Sequence, residues 1–371
     1  MLSLGPAEQK ACSFFVLILV GYVLRPKLND KKMLAGVRGL VLNGLLPAVI
    51  FGGLLSVKLS VNALSFPLLN AAHIAVHLLV GSLVGRLVLP GASLERVNAR
   101  STLAFLSSSF APGLSAFVFI KEFAPSGMAM GALMDLASKA YLLIACPALM
   151  RRAFGDAAAK KKGAKPVPPG SLFATLWREL CEPLNFGIVA GLAASALGLK
   201  HADLGPVGGA IQLLEAAQTP VLFVLIGLTV SLEGDAPVVC GAATLLRSAL
   251  SMACAYGAVQ FLQLEGETAL ALVIMFQSAC SVVCFAQLEK VANTLTAAGR
   301  DGEVVCALPL ALDLVGYSFP LAIALNASAG LLRERYIELM PSCALALVAA
   351  AGALTLAAGG SGGKEEKAKA S

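Results

Sequence analysis

Repeated apolar stretches, each close to 20 residues long, constrain the fold of this chain more than any other feature. A helix needs about 20 mostly apolar residues to cross the roughly 30 Å hydrocarbon layer of a bilayer. An eleventh stretch, at 341–358, is shorter and rich in alanine. We therefore predict an all-α polytopic membrane protein with ten core transmembrane helices and one further helix. The ten core stretches are 7–24, 35–56, 66–89, 101–120, 127–150, 180–199, 208–232, 244–264, 268–288 and 306–330.

The composition agrees with a chain that is solvated mainly by lipid. Hydrophobic residues make up 58% of the sequence, charged residues only 13%, and the mean hydropathy is +0.82. These values exclude an ordinary soluble domain. The net charge of +6 comes from basic residues in short loops, so we expect topology to explain it and nucleic acid not to be a partner.

Loop charges predict how the helices are oriented. Basic residues concentrate after the odd-numbered segments, as at Arg25 and Lys27 and again at Arg151 and Arg152. Since positively charged loops stay in the cytoplasm, we predict a non-cytoplasmic N-terminus. The first segment lacks a small-residue cleavage site, so we expect a retained helix rather than a signal peptide. The pattern does not distinguish the plasma membrane from the endoplasmic reticulum.

Three landmarks recur in the same order in the two halves of the chain. With five helices per half, an odd number, the second half must enter the membrane in the opposite orientation, so we predict a 5+5 inverted repeat. The repeats would cover 1–152 and 178–332, joined by a basic cytoplasmic linker at 153–177. Residues 333–371 would add the extra helix and a flexible charged tail. The matched landmarks are Gly21 with Gly191, Pro47 with Pro220, and Asp135 with Asp313.

Four motifs also follow one another in a particular order within residues 7–330. They are Gly21-Tyr22-Val23-Leu24-Arg25, Leu45-Leu46-Pro47-Ala48-Val49-Ile50-Phe51, Glu182-Pro183, and Thr219-Pro220-Val221-Leu222-Phe223-Val224-Leu225-Ile226-Gly227-Leu228. In this order they resemble the auxin efflux carrier family, which includes plant auxin exporters and bacterial dicarboxylate carriers. The resemblance implies an elevator-type carrier, a homodimer, and a substrate site where broken helices 4 and 9 cross. We also interpret Pro47 and Pro220 as helix-breaking residues of the scaffold.

The fourth and ninth segments contain the candidate substrate-binding residues. Pro112 and Gly113 follow three serines in mid-segment, which predicts a broken or kinked helix whose unwound backbone can bind an anion or coupling ion. The alternative is a simple kink whose carbonyls are satisfied by serine hydroxyls. The ninth segment lacks the proline usual in the family, and the fourth lacks its characteristic asparagine, departures that also allow a member without transport. The candidate residues are Ser107, Ser108, Ser109, Pro112, Gln277, Ser278 and Ser281.

Charged residues within the segments suggest a coupling or charge-relay site. Asp135 and Lys139 share a helix face and can pair, either as a neutralised strut or as a titrating relay. Asp313 has Tyr317 in the corresponding position, which makes it the better proton-carrier candidate. We place Arg247 at the inner interface, because an arginine in mid-membrane is costly.

The remaining candidates give little support for a metal, a cofactor or an enzyme. His73 and His77 share a face and can shuttle protons, although two satisfied interior histidines are the more common case. Cys280 and Cys284 lie one turn apart, but no nearby histidine completes a metal site. No nucleotide-binding or hydrolytic motif occurs, so we expect neither a cofactor nor catalysis.

The sequence thus predicts a secondary active or facilitative transporter of small organic anions, with export the expected direction. Auxin-like carboxylates or dicarboxylates are the substrates that the resemblance suggests, with H⁺ or Na⁺ as the coupling ion. One alternative is a sodium-coupled bile-acid-type organic anion symporter. The other is a non-transporting membrane scaffold or receptor.

Overall fold

The computed structural model describes residues 5–28, 30–55, 65–89, 94–159, 183–229, 236–297 and 308–369. Within these ranges the chain is helical and contains no strand. Among these described residues, seven helical segments are long and apolar enough to cross a membrane, in agreement with the predicted class of a multi-pass helical membrane protein. They are Lys32–Leu55, Ser65–Arg86, Leu133–Phe154, His201–Leu228, Val238–Leu262, Leu308–Leu332 and Glu334–Leu356.

The α-helices are numbered here in chain order. Two π-helical turns, Val41–Leu45 and Tyr141–Ala145, join α2 to α3 and α8 to α9. The helices are α1 (Pro6–Leu28), α2 (Lys31–Leu40), α3 (Leu46–Leu55), α4 (Ser65–Val88), α5 (Leu94–Ser107), α6 (Pro112–Ser115), α7 (Phe117–Phe123), α8 (Met128–Ala140), α9 (Cys146–Ala159), α10 (Pro183–Ala196), α11 (Gly205–Thr229), α12 (Ala236–Leu262), α13 (Gly266–Phe276), α14 (Val282–Ala297), α15 (Leu308–Leu332) and α16 (Glu334–Lys369).

Prolines widen two of these helices without breaking them. Pro47 lies just after the turn Val41–Leu45, and Pro147 lies just after the turn Tyr141–Ala145. The wider turn makes room for the proline ring, which would otherwise clash with the carbonyl four residues back. Pro220 lies inside α11, which remains continuous and packs against α1 and α3. Contrary to the sequence-based expectation, neither Pro47 nor Pro220 breaks its helix.

The helices form two groups. The first helix group consists of α1, α2, α3, α10 and α11, in which α1 packs most extensively on α11, and α3 on α10 and α11. The second helix group consists of α4 to α9 and α12 to α16. In that group α4 packs on α5 and α8, and α12 packs on α4, α15 and α16.

Two glycines allow α1 and α11 to approach each other closely. A Cβ atom on Gly21 would lie 2.1 Å from the carbonyl oxygen of Val224, and one on Gly227 would lie 2.0 Å from the carbonyl oxygen of Ile18. Both distances are far below van der Waals contact, so only glycine fits at either position. Small residues of this kind let helices in membranes bring their backbones together.

The predicted central linker and C-terminal tail both overlap helices. The predicted linker at 153–177 begins within α9, which extends to Ala159, and the rest of it lies outside the described residues. At the C-terminus, α16 continues to Lys369 and includes the stretch predicted to be a flexible tail. Alanine, lysine and glutamate, which favour helix, are frequent at this end of the chain.

Candidate functional site

Two helices are broken in the interior of the second helix group. The first break, Ser108–Ala111, separates α5 from α6, and the second, Gln277–Ser281, separates α13 from α14. Pro112 takes the first position of α6, where its missing N–H costs no helical hydrogen bond. The second break forms without a proline. Both breaks expected for the fourth and ninth segments are therefore present.

The two breaks cross and bond to each other. The Ala111 N–H donates to the Ala279 carbonyl at 2.9 Å, and the Ala279 N–H donates to Ser115 Oγ at 2.9 Å. The Ser281 N–H donates to Ser109 Oγ at 3.1 Å. These partners supply the hydrogen bonds that unwound backbone needs in the absence of water.

The serine hydroxyls of the first break form hydrogen bonds with carbonyls at the C-terminal end of α5. Ser108 Oγ bonds to the Phe105 carbonyl at 2.9 Å and to the Tyr141 hydroxyl at 2.6 Å. Ser109 Oγ donates to the Leu106 carbonyl at 2.7 Å. These bonds satisfy carbonyls that have no partner within the helix. The alternative considered from the sequence, that serines satisfy the carbonyls at the break, thus describes part of the observed bonding.

The polar residues of the second break also have partners. Ser278 Oγ donates to the Met275 carbonyl, and Ser281 Oγ accepts from the Val283 N–H at 3.2 Å. Gln277 Oε1 accepts from the Tyr336 hydroxyl at 3.2 Å, which ties this break to α16. Of the seven predicted substrate-binding residues, only Ser281 lines the pocket described below.

Arg247 lies at the centre of the crossing. Its side chain donates to the carbonyls of Ser107 at 3.1 Å, Ser109 at 3.0 Å and Ser278 at 2.7 Å. Its guanidinium carbon lies 4.5 Å from the centroid of the Phe110 ring. One planar group with five donors can thus bind both breaks, and its positive charge faces the negative ends of the α5 and α13 dipoles.

The expectation that Arg247 lies at the inner interface is wrong. The residue is in the interior of α12 and only 4% exposed. Its desolvation is offset by three carbonyl acceptors and an aromatic face, partners that come from segments far away in sequence. The sequence did contain a signal for this position, namely a single arginine inside an apolar segment. The carbonyls of two unwound stretches need hydrogen-bond donors, and a buried arginine supplies them.

A pocket lies beside the crossing. It is a cleft of about 560 Å³, a volume that includes space open to the outside. The second helix group contributes Gly113, Asp135, Lys139 and Ser281 together with apolar side chains, and the first helix group contributes only apolar side chains. These apolar residues are Val41, Leu46 and Val49. The pocket therefore combines a charged pair, a hydroxyl and an apolar wall at the boundary between the two groups.

Asp135 and Lys139 form the predicted ion pair on α8. Asp135 is 4% exposed and lies next to Gly113, on which a Cβ atom would be 3.9 Å from Asp135 Oδ2. Asn70 on α4 holds this part of α8 through bonds to the Met134 carbonyl at 2.6 Å and to Ser138 Oγ at 2.8 Å. The pair is thus fixed in place at the pocket.

Asp313 has different surroundings from Asp135. It is buried on α15, with Tyr317 and Cys240 nearby, and it does not line the pocket. One turn further along α15, Ser318 Oγ accepts from the Cys280 N–H of the second break at 2.9 Å. The two aspartates predicted as equivalents therefore lie in separate environments, one at the pocket and one behind the crossing.

No protein-family model matches this chain, and a comparison with curated proteins finds no match either. The class that the fold defines is a multi-pass helical membrane protein with two broken helices that cross.

Proposed function

We propose that this chain is a secondary transporter of small organic anions and that the substrate binds in the pocket beside the crossing. The observation that carries the proposal is a pair of broken helices crossing next to a charged pocket. Unwound backbone inside a membrane protein is tolerated only where protein covers it or it lines a cavity, and transporters use such breaks for substrates and ions. The resemblance to auxin efflux carriers supports the same function.

The chemistry of the pocket favours an anion with an apolar part. Lys139 supplies a positive charge, and Ser281 lies at the start of α14, where helix N–H groups attract negative charge. Val41, Leu46 and Val49 provide an apolar surface across from them. An auxin-like carboxylate fits this combination, with its carboxylate at Lys139 and its hydrocarbon part on the apolar wall.

The Asp135–Lys139 pair offers a means of proton coupling. In the structure, the carboxylate of Asp135 forms an ion pair with the ammonium group of Lys139 and therefore competes with a substrate anion for it. Protonation of Asp135 removes its negative charge and releases Lys139 to pair with the substrate carboxylate. Binding of the substrate and binding of a proton to Asp135 then favour each other, as coupled transport requires.

The pocket also lies where an elevator movement would need it, between the first and second helix groups. We propose that the first group is the scaffold and that the second group carries the crossing and the substrate across the membrane. A 5+5 inverted repeat of ten core helices, membership of the auxin efflux carrier family and a homodimer complete this proposal.

The test is substrate flux in proteoliposomes that contain the purified full-length protein. We expect uptake of an indole carboxylate or a four-carbon dicarboxylate, and we expect Lys139→Met to reduce it at least tenfold. Lys121→Met, at an exposed position of α7, is the matched control and should transport as the wild type does. Absence of flux for every organic anion with folded wild-type protein would overturn the proposal in favour of a scaffold or receptor. Flux only with a sodium gradient would point instead to the bile-acid-type symporter.

A further inference from the structure

Two buried histidines and a partly buried cysteine form a compact cluster between α4 and α12. One ligand atom from each of His73, His77 and Cys254 lies within 4.8 Å of the others. His73 and His77 are 3% and 0% exposed, and their rings lie 4.5 Å apart. None of the three residues lines the pocket beside the crossing.

The imidazole nitrogens of this cluster are short of partners. Both ring nitrogens of His73 and Nδ1 of His77 have no hydrogen-bond partner among the described residues, so the expectation of satisfied interior histidines is wrong for three of the four nitrogens. Buried polar atoms are normally hydrogen-bonded, and several exceptions at one place require an explanation. A bound metal ion accounts for one lone pair on each imidazole, that is, for two of the three nitrogens, and leaves only the N–H of His73 without a partner among the residues that the structure describes.

Neighbouring residues hold the imidazoles in position. His77 Nε2 lies 3.2 Å from Ser251 Oγ, which can accept a hydrogen bond from the Nε2–H and so leave the Nδ1 lone pair available. The His73 ring stacks on Phe276, with centroids 3.8 Å apart, and also contacts Phe110 at 4.4 Å. Metal-binding histidines characteristically have an orienting partner on the nitrogen that does not bind the ion, and His77 has one in Ser251, whereas, within the described part of the chain, the His73 ring is oriented by aromatic packing alone.

We propose that His73, His77 and Cys254 bind one copper(I) ion. Two imidazoles and a thiolate form a donor set suited to copper and zinc. Bond lengths of about 2.0–2.3 Å place such donors about 3.5–4 Å apart, so a closure of roughly 1 Å completes the site. The Cys254 thiol releases its proton to the aqueous solvent when the ion binds as copper(I), so no change of oxidation state is involved.

The charge of the surroundings selects copper(I) over zinc(II). Arg247, with a guanidinium that lies over Phe110, brings a fixed positive charge close to both histidines. A monovalent ion and the Cys254 thiolate together are neutral, whereas a divalent ion leaves a net positive charge beside the buried arginine. The inference is independent of the proposed transport function.

The experiment measures copper(I) retained by purified full-length protein in competition with a chromophoric copper(I) chelator. We expect one equivalent per chain in the wild type, loss of that equivalent in His77→Ala, and an affinity about 10–100-fold lower in Ser251→Ala. Cys254→Ser should also lose the ion, whereas Cys343→Ser, on α16 and outside the cluster, should retain it. Zinc(II) should bind the wild type more weakly than copper(I).

X-ray absorption by the copper-loaded wild type keeps the proposal testable if a variant does not fold. We expect a first coordination shell of nitrogen and sulfur. Wild-type protein that holds no copper, copper retained equally by all the cluster variants, or a shell without nitrogen would each overturn the proposal.

Discussion

At the residue scale, buried charge is concentrated where the backbone is unwound. Arg247 donates hydrogen bonds to the carbonyls of Ser107, Ser109 and Ser278. One side chain thus supplies donors at the C-terminal ends of two half-helices. The arginine is therefore part of the crossing and not an interfacial anchor.

Replacing this arginine should destabilise the protein strongly. In Arg247→Met three buried carbonyls lose a charged donor, and each such loss costs about 1–3 kcal/mol, so we expect the free energy of unfolding to fall by about 3 kcal/mol or more. Thermal unfolding of the purified protein in detergent measures the effect. Arg335→Met, at an exposed position of α16, controls for the loss of an arginine and should change the melting temperature little. Equal melting temperatures for the two variants would contradict the role given to Arg247.

A second prediction at this scale separates the two aspartates. Asp135→Asn keeps the shape of the side chain but leaves it uncharged at every pH. We therefore expect flux to continue at a rate that does not depend on the proton gradient. Asp313→Asn leaves the pocket unchanged, so proton dependence should remain. Flux in proteoliposomes with and without an imposed pH gradient distinguishes the variants. Loss of proton dependence in Asp313→Asn alone would assign the coupling to Asp313, as the sequence suggested.

At the scale of the element, local sequence predicted the first break better than the second. Ser107–Gly113 contains a proline and a glycine in mid-segment, and the helix opens there. Gln277–Ser281 contains neither, and it opens because its backbone finds partners on other elements. Those partners include Ser109, Ser115 and Ser318, which no sequence window around the ninth segment contains.

The contact between α1 and α11 leads to a prediction about packing. A methyl group at Gly227 would overlap the backbone of Ile18, so Gly227→Ala must push the helices apart. Overpacking of this kind costs about 1–3 kcal/mol, and we expect a lower melting temperature. Gly257→Ala on α12, where the added methyl has no neighbour within 4 Å, should be neutral or slightly stabilising. Equal melting temperatures for Gly227→Ala and Gly257→Ala would contradict the prediction.

At the scale of the whole molecule, an ion pair joins the two helix groups. Arg38 on α2 and Glu289 on α14 approach to 3.1 Å, and the guanidinium of Arg38 lies 4.8 Å from the Phe285 ring centroid. The pair is partly exposed, so its contribution to stability is at most about 1 kcal/mol. Its position matters more, because a movement of one group against the other would separate these residues.

Cross-linking across this contact tests the movement. A short bifunctional maleimide that joins Arg38→Cys to Glu289→Cys should stop flux, because it ties the two groups together. The same reagent on Ser126→Cys with Glu267→Cys should leave flux intact, since Ser126 donates its N–H to Glu267 at 3.0 Å within the second helix group. Wild-type protein treated with the reagent accounts for reaction at native cysteines. Undiminished flux after complete cross-linking of the first pair would exclude an elevator movement between these groups.

Sequence alone determined the class of protein and part of its charged site. Runs of about 20 apolar residues predict helices that cross a bilayer, since lipid leaves the backbone no other way to satisfy its hydrogen bonds. The spacing of Asp135 and Lys139 placed them on one helix face, where they form an ion pair. Both inferences depend on short-range geometry, which the order of residues contains directly.

Only the tertiary structure decided how the crossing is held together. The positions of Arg247, of the second break, and of the cluster of His73, His77 and Cys254 depend on residues far apart in sequence. A buried charge or an unwound backbone is stable only when partners from other helices reach it, and helix periodicity does not state which helices meet. For this reason an arginine expected at the interface is buried at the crossing of the two breaks.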